Sequence, residues 1–98
     1  MDLYCSSNLP SARFKLGQIV STPNALTQLT HEDILRGLQR HQAGDWGDVG
    51  AEDRQANDEA LVEGARLLSA YQAANGTKFW IITEAGRDVT TVLLPEDY

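Results

Sequence analysis

The sequence is short of cations and of sulfur. Two lysines and six arginines stand against fourteen acids, leaving a net charge of −6 over 98 residues. That balance argues against direct nucleic-acid binding, whose affinity comes largely from lysine and arginine. The one cysteine, Cys5, has no partner within the chain and fits a reducing, cytoplasmic setting. No apolar run approaches the ~20 residues of a membrane span, so no membrane association is expected. The N-terminal stretch MDLYCSSNLPSARF has neither a basic start nor a long apolar core, so it is not expected to be a signal peptide. Internal repeats and low-complexity segments are also absent.

What is present suits one domain. With 42% hydrophobic and 22% charged residues the chain reads as globular rather than disordered. At this length roughly 60–70% of the unfolded surface is buried, enough for one modest core.

Residues 1–13 carry Ser6, Ser7, Asn8, Pro10 and Ser11 without periodicity, which predicts a flexible arm ahead of a single domain at 14–98. FKLGQIVS (14–21) alternates as a strand does, with Gly17 marking a bulge or a close backbone approach. Thr22 and Pro23 suit the start of a short helix ending near Leu29. Thr30 starts a second helix, with Asp33 as a capping-box partner and Gly44 as the stop. Gly37 inside that helix predicts a close neighbour. A third, short helix is expected from near Ala51 to Gly64, packed through Ala56, Ala60 and Leu61, with Asp48 capping the turn that opens it.

Three stretches rich in β-branched and aromatic residues follow: ARLLSAYQA, TKFWIIT and VTTVLLP. Asn75-Gly76 and Gly86-Arg87-Asp88 are the turns between them. Phe79, Ile81 and Thr83 are expected on one face, with Trp80, Ile82 and Glu84 on the other. The fold class is therefore α+β: an N-terminal strand and two or three short helices packed on a C-terminal antiparallel three-stranded meander.

The blocks FKLGQIV, GDWGD, RLLSAY and WIITEAGRDVTTVLLP resemble, in that order, a family of small uncharacterised bacterial proteins of plasmids, phages and integrated elements. The similarity runs from about Phe14 to Tyr98. It implies a bacterial, mobile-element setting and no reaction, catalytic residue or cofactor. Gly86 stands where the family pattern has an acid, so any role of that position is in doubt here.

The charge is uneven. Asp45, Asp48, Glu52, Asp53, Asp58, Glu59 and Glu63 are half of all the acids, and Arg54 is the only base among them. A segment of this kind suits a basic protein partner, and a solvated helix face is the plainer reading. The residues nominated for partner contact are Asp45, Trp46, Asp48, Glu52, Asp53, Asp58, Glu59 and Arg87. Trp46, between two glycines, reads as an anchor holding the loop down or as an interface hot spot. Arg87 reads as a staple paired with Glu84 or as a partner contact.

Two enzymatic readings stand beside this one. His41, Asp45, Asp48, Glu52 and Asp53 lie close in sequence, with oxygen ligands that suit a hard cation in a metal-dependent hydrolase or nuclease. Their spacing lacks the EF-hand pattern, and capping and turn roles explain the aspartates. Lys15 and Lys78 are not placed beside paired acids. A metal-free ribonuclease would draw on His41, Tyr71 and Arg87, against the charge balance. Ser69 lacks the glycines of a nucleophile elbow. His31, in a first helical turn, reads as solvated, and His41, when protonated, as favourable to a helix C-terminus. No catalytic set, metal site or cofactor is therefore assigned. An acidic interaction protein is favoured, an inhibitor facing a basic host-defence or nucleic-acid-binding protein being its sharper form. A homodimer through paired sheet edges is the third reading.

Overall fold

A computed structural model describes residues 12–98. The predicted arm at 1–13, with Cys5, lies outside them except for Ala12 and Arg13. Arg13 is already tied down: its N–H donates to the Gln42 carbonyl at 2.8 Å.

In chain order the elements are β1 (Gln18–Ser21), α1 (Pro23–Gln28), α2 (His31–Gln42), α3 (Ala51–Glu63), β2 (Leu67–Gln72), β3 (Lys78–Thr83) and β4 (Val89–Leu93), then a 3-10 turn at Pro95–Asp97. The meander is present as β2–β3–β4. The sheet is larger than expected, because β1 joins it beside β4 and parallel to it, giving the order β1-β4-β3-β2. The predicted strand at 14–21 shortens to 18–21 because Gly17 takes φ +67° and its backbone passes the Asp88 carbonyl at a distance no Cβ allows.

Local chemistry explains the helices. Thr22 accepts from the Ala25 N–H, with Pro23 behind it, and Thr30 and Asp33 form a reciprocal capping box. Gly44, at φ +87°, ends α2. A Cβ on Gly37 would stand 2.9 Å from the Phe79 ring, so the glycine lets α2 approach β3. Asp48 does not cap α3; the cap is Gly50, without a side-chain bond. The packed face of α3 also differs from expectation. Ala60 and Asn57 are buried and Ala56 is exposed, so a polar residue occupies a position assigned to alanine.

The β2–β3 hairpin closes at Asn75-Gly76 with Gly76 at φ +90° and a Gly76 N–H to Ala73 carbonyl bond of 2.9 Å. Asn75 keeps a negative φ, so the turn is a three-residue loop ending in a left-handed glycine rather than the two-residue mirror-image turn.

Side chains alternate as the meander predicts. Leu67, Ser69, Tyr71, Phe79, Ile81, Thr83, Thr90 and Val92 share the face beneath the helices, and Phe79, Ile81 and Val92 meet Ala25, Leu29 and Leu38 there. Trp46, Ala60 and Leu67 form a second apolar cluster with Phe14, Val49 and Leu61, below α3 at the β2 edge. The opposite sheet face carries Leu68, Trp80, Ile82 and Leu93 and is not covered by α1 or α2.

Candidate functional site

The GDWGD segment is an extra edge for the sheet. The Trp46 carbonyl accepts from the Ala70 N–H at 3.1 Å, and the Asp48 N–H donates to the Ala70 carbonyl at 2.8 Å. Between them Gly47 forms a parallel bridge with Ala70. A little further along β2, Asn57 of α3 completes the cover: its Nδ2 donates to the Leu68 carbonyl at 2.7 Å and its Oδ1 accepts the Leu68 N–H at 3.1 Å. An edge strand with open N–H and C=O groups invites pairing with other chains, and this one is occupied.

Trp46 is only 3% exposed, which withdraws it from the nominated contact surface and makes it the loop anchor. Its ring lies nearly parallel to Phe14 at 6.3 Å and edge-on to His41 at 5.7 Å, and its Nε1–H donates to Asp58 Oδ1 at 3.1 Å. The indole thus has an apolar seat and a hydrogen-bond acceptor. Asp45 is held by Arg40, whose Nε and Nη2 donate to its two oxygens at 2.8 and 3.3 Å. That bond is the main reason its carboxyl sits below the ordinary carboxylate range. The Asp45 carbonyl accepts the Tyr71 hydroxyl, with Arg40 stacked over the Tyr71 ring at 4.6 Å. Burial raises the Tyr71 phenol far above its usual value, so it stays a donor.

Behind Trp46 runs a buried polar chain that the sequence did not reveal. His41 is fully buried, with Nδ1 2.5 Å from Ser69 Oγ and Nε2 2.9 Å from Thr83 Oγ1. Thr83 Oγ1 lies 2.8 Å from Thr90 Oγ1, which donates to the Leu16 carbonyl at 2.7 Å. The final acceptor sets every direction. Thr90 gives its proton to Leu16, so Thr83 donates to Thr90, His41 donates from Nε2 to Thr83, and Ser69 donates to Nδ1. Burial, and then the charge of Arg87, push the His41 pKa down to about 3, so the ring is neutral. The helix-end interaction expected of a protonated His41 is therefore not made at neutral pH. The two hydroxyl bonds leave neither ring nitrogen free for a metal or a substrate. The Ser69–His41 contact is sealed from solvent, both residues being fully buried. The sequence did hold one signal: Ser69, Thr83 and Thr90 fall in the inward phase of their strands, where a hydroxyl needs a partner.

Arg87 does not pair with Glu84. Its guanidinium donates to the Ala65 carbonyl at 2.5 Å and the Ala60 carbonyl at 2.9 Å, closing the C-terminal end of α3, and it lies over the Phe14 ring at 5.6 Å. Glu84 meets Arg66 instead, at 3.6 Å. Arg87 holds φ +64°, an unfavourable conformation for a non-glycine residue, and these contacts maintain it. Its donors are directed into the molecule rather than toward a partner.

The remaining nominated acids are at the surface. Asp48, Glu52, Asp53, Asp58 and Glu59 are all exposed, and among the described residues none of them is in an ion pair. Arg54 turns back to the Val49 carbonyl at 3.4 Å. Among the described residues no three His, Cys, Asp or Glu side chains converge as a metal site would require. No helix there is long and apolar enough to cross a membrane.

On the sheet face away from α1 and α2, where Ile82 is buried and Leu68 and Trp80 are half-buried, these three residues line a groove of about 330 Å³ between α3 and Tyr98. Tyr98 stands edge-on to Trp80 at 5.7 Å. In comparisons with protein-family models, curated proteins and solved structures, nothing matched this chain.

Proposed function

We propose that this protein is a non-enzymatic binding module that offers the outer face of α3 to a basic protein surface. The observation that carries this reading is that Glu52, Asp53 and Glu59 stand exposed on one helix with no ion-pair partner among the described residues. Asp48 extends the same negative region at the approach to the helix. Unpaired carboxylates in one patch raise the local concentration of a cationic partner and speed its docking. Arg40 holds Asp45 in the approach loop, the Trp46–Asp58 bond ties that loop to α3, and Arg87 closes the helix's C-terminal end, so the acids are presented on an anchored element. The resemblance to small mobile-element proteins suggests a bacterial setting, where a basic host-defence or nucleic-acid-binding protein is a fitting target.

The test is affinity capture from a bacterial host lysate with the wild-type chain and with a Glu52→Gln/Asp53→Asn/Glu59→Gln variant. The wild type is expected to retain a basic protein that high salt releases and that the folded variant fails to hold. Equal capture by both would remove the reading.

A further inference from the structure

We infer that the groove on the open sheet face seats an apolar side chain of this basic partner, while a lysine or arginine of the same segment rests on Asp53. The inference rests on the reading of α3 as a surface for a basic protein.

The argument starts from continuity. α3 lies along the β2 edge and contributes to two surfaces at once. Glu52 and Glu59 are exposed on one helical face, while Asp53, Ala56 and Asn57, on another, form one side of the groove. The apolar part is Leu68, Trp80 and Ile82, from the sheet face that α1 and α2 leave uncovered. Tyr98 closes the far side. A partner segment docking on α3 therefore meets an apolar recess beside the carboxylates. A recess filled by one anchor side chain, with charges around it, is the arrangement in which interfaces concentrate their binding energy.

Charge selects the occupant. The groove has one acid and one base at its rim, Asp53 and Arg66. Arg66 is already engaged, 3.6 Å from Glu84 and 5.4 Å over the Tyr98 ring. Asp53 has no ion-pair partner among the described residues, and Glu52 stands next to it. The free charge at the rim is thus negative. A second copy, itself at −6, is repelled. Nucleic acid and anionic membrane surfaces are repelled for the same reason. A cationic protein segment with an apolar side chain beside its lysine or arginine matches both features.

The probe is a capped twelve-residue peptide of alternating lysine and leucine, titrated into the full chain and followed by NMR at the Trp80 indole N–H and the Leu68 and Ile82 methyl groups. Oligolysine and an alternating glutamate–leucine peptide of equal length are the comparators. The lysine–leucine peptide is expected to move all three groove signals. Oligolysine is expected to move α3 amides alone, and the glutamate–leucine peptide to bind at least tenfold more weakly. Ala56→Trp fills the groove from an exposed helix position and is expected to weaken the lysine–leucine peptide at least tenfold. Asp53→Lys is expected to do the same, leaving the groove open.

Shifts confined to α3 with Trp80 and Ile82 unmoved would overturn the groove and leave the acidic surface standing. Equal binding of the glutamate–leucine peptide would overturn the charge argument. No binding of any peptide at millimolar concentration would count against both. Should Ala56→Trp lose its fold, the shift map of the unmodified chain and the Asp53→Lys result decide the question.

Discussion

Gly47 lies against Ala70 so closely that a Cβ on the glycine would overlap the Ala70 carbonyl oxygen. The Tyr71 ring stands on the same side, and Gly47 holds φ +76°. The left-handed backbone and the overlap act together. Gly47→Ala is expected to destabilise the protein by about 2–5 kcal/mol, from strain of ~1–2 kcal/mol and overpacking of ~1–3 kcal/mol. Gly64→Ala is the control: φ there is +80° with nothing within 4 Å of the added carbon, so only the backbone term applies. Urea unfolding of both variants checks this. Equal losses would mean that the approach to Ala70 contributes nothing.

The buried chain from Ser69 to Leu16 predicts a tautomer. The His41 ring should be neutral with its proton on Nε2, because the terminal carbonyl acceptor directs each hydroxyl in turn. Ring ¹⁵N shifts at pH 7 report this directly, and a protonated Nδ1 would reverse the assignment.

Stability should fall with acid before the carboxylates act. The His41 pKa is about 3 in the folded state and near 6.5 when unfolded. The unfolded chain therefore binds the proton first. The contribution is complete above pH 6.5 and is lost as pH falls toward 3, at about 1.4 kcal/mol per unit from this one group. Asp33, Asp45 and Asp97, whose pKa values are lowered, add losses in the same direction only below the ordinary carboxylate range. Denaturant melts between pH 7 and pH 4.5 isolate the histidine. A flat profile there would show that His41 titrates normally in the folded protein.

Arg87→Ala removes charge-assisted bonds to the Ala60 carbonyl in the last turn of α3 and to the Ala65 carbonyl just beyond it, and should lower stability by about 1.5–3 kcal/mol. It also removes the positive charge that depresses the His41 pKa, so the acid-dependent loss should become shallower. Arg87→Lys should recover less than half of the lost stability, because one ammonium does not reproduce the guanidinium fork. Thermal melts of variant and wild type at pH 7 and pH 3 separate the two effects, because a changed folded pKa alters only the acid end of the loss.

Much of this fold was legible because local rules and tertiary packing agree. Thr22-Pro23, Thr30 with Asp33, and Gly44 bound their helices where capping chemistry places them. The meander followed from alternation and two turns. Three features were not legible, each for a physical reason. β1 pairs with β4, a partner about seventy residues away, and no local pattern encodes that. Asn57 is buried because its amide mimics a neighbouring strand, which a hydropathy pattern scores as an exposed position. His41 read as a helix-end residue, favourable there when protonated, because the inward hydroxyls of Ser69 and Thr83 mark a need for partners without showing that His41 is the one they meet. The acids were legible as a cluster, but their separation into Asp45, held by Arg40, Asp58, bonded to Trp46, and carboxylates of α3 without an ion pair among the described residues required the geometry.

The pairing of Gln18 with Val89 imposes an order of assembly. The hairpins β2–β3 and β3–β4 close over a few residues each, so their entropy cost is small. The β1–β4 ladder, the Thr90–Leu16 bond and the Thr22–Asp97 bond all join residues more than seventy positions apart. Contacts of that span become favourable only once the intervening chain has compacted. We expect β1 to dock last, as a clasp across a meander and helices already in place. Pulse-labelling hydrogen exchange during refolding checks this: amides of β2 and β3 should gain protection before Val20, and the reverse order would contradict it.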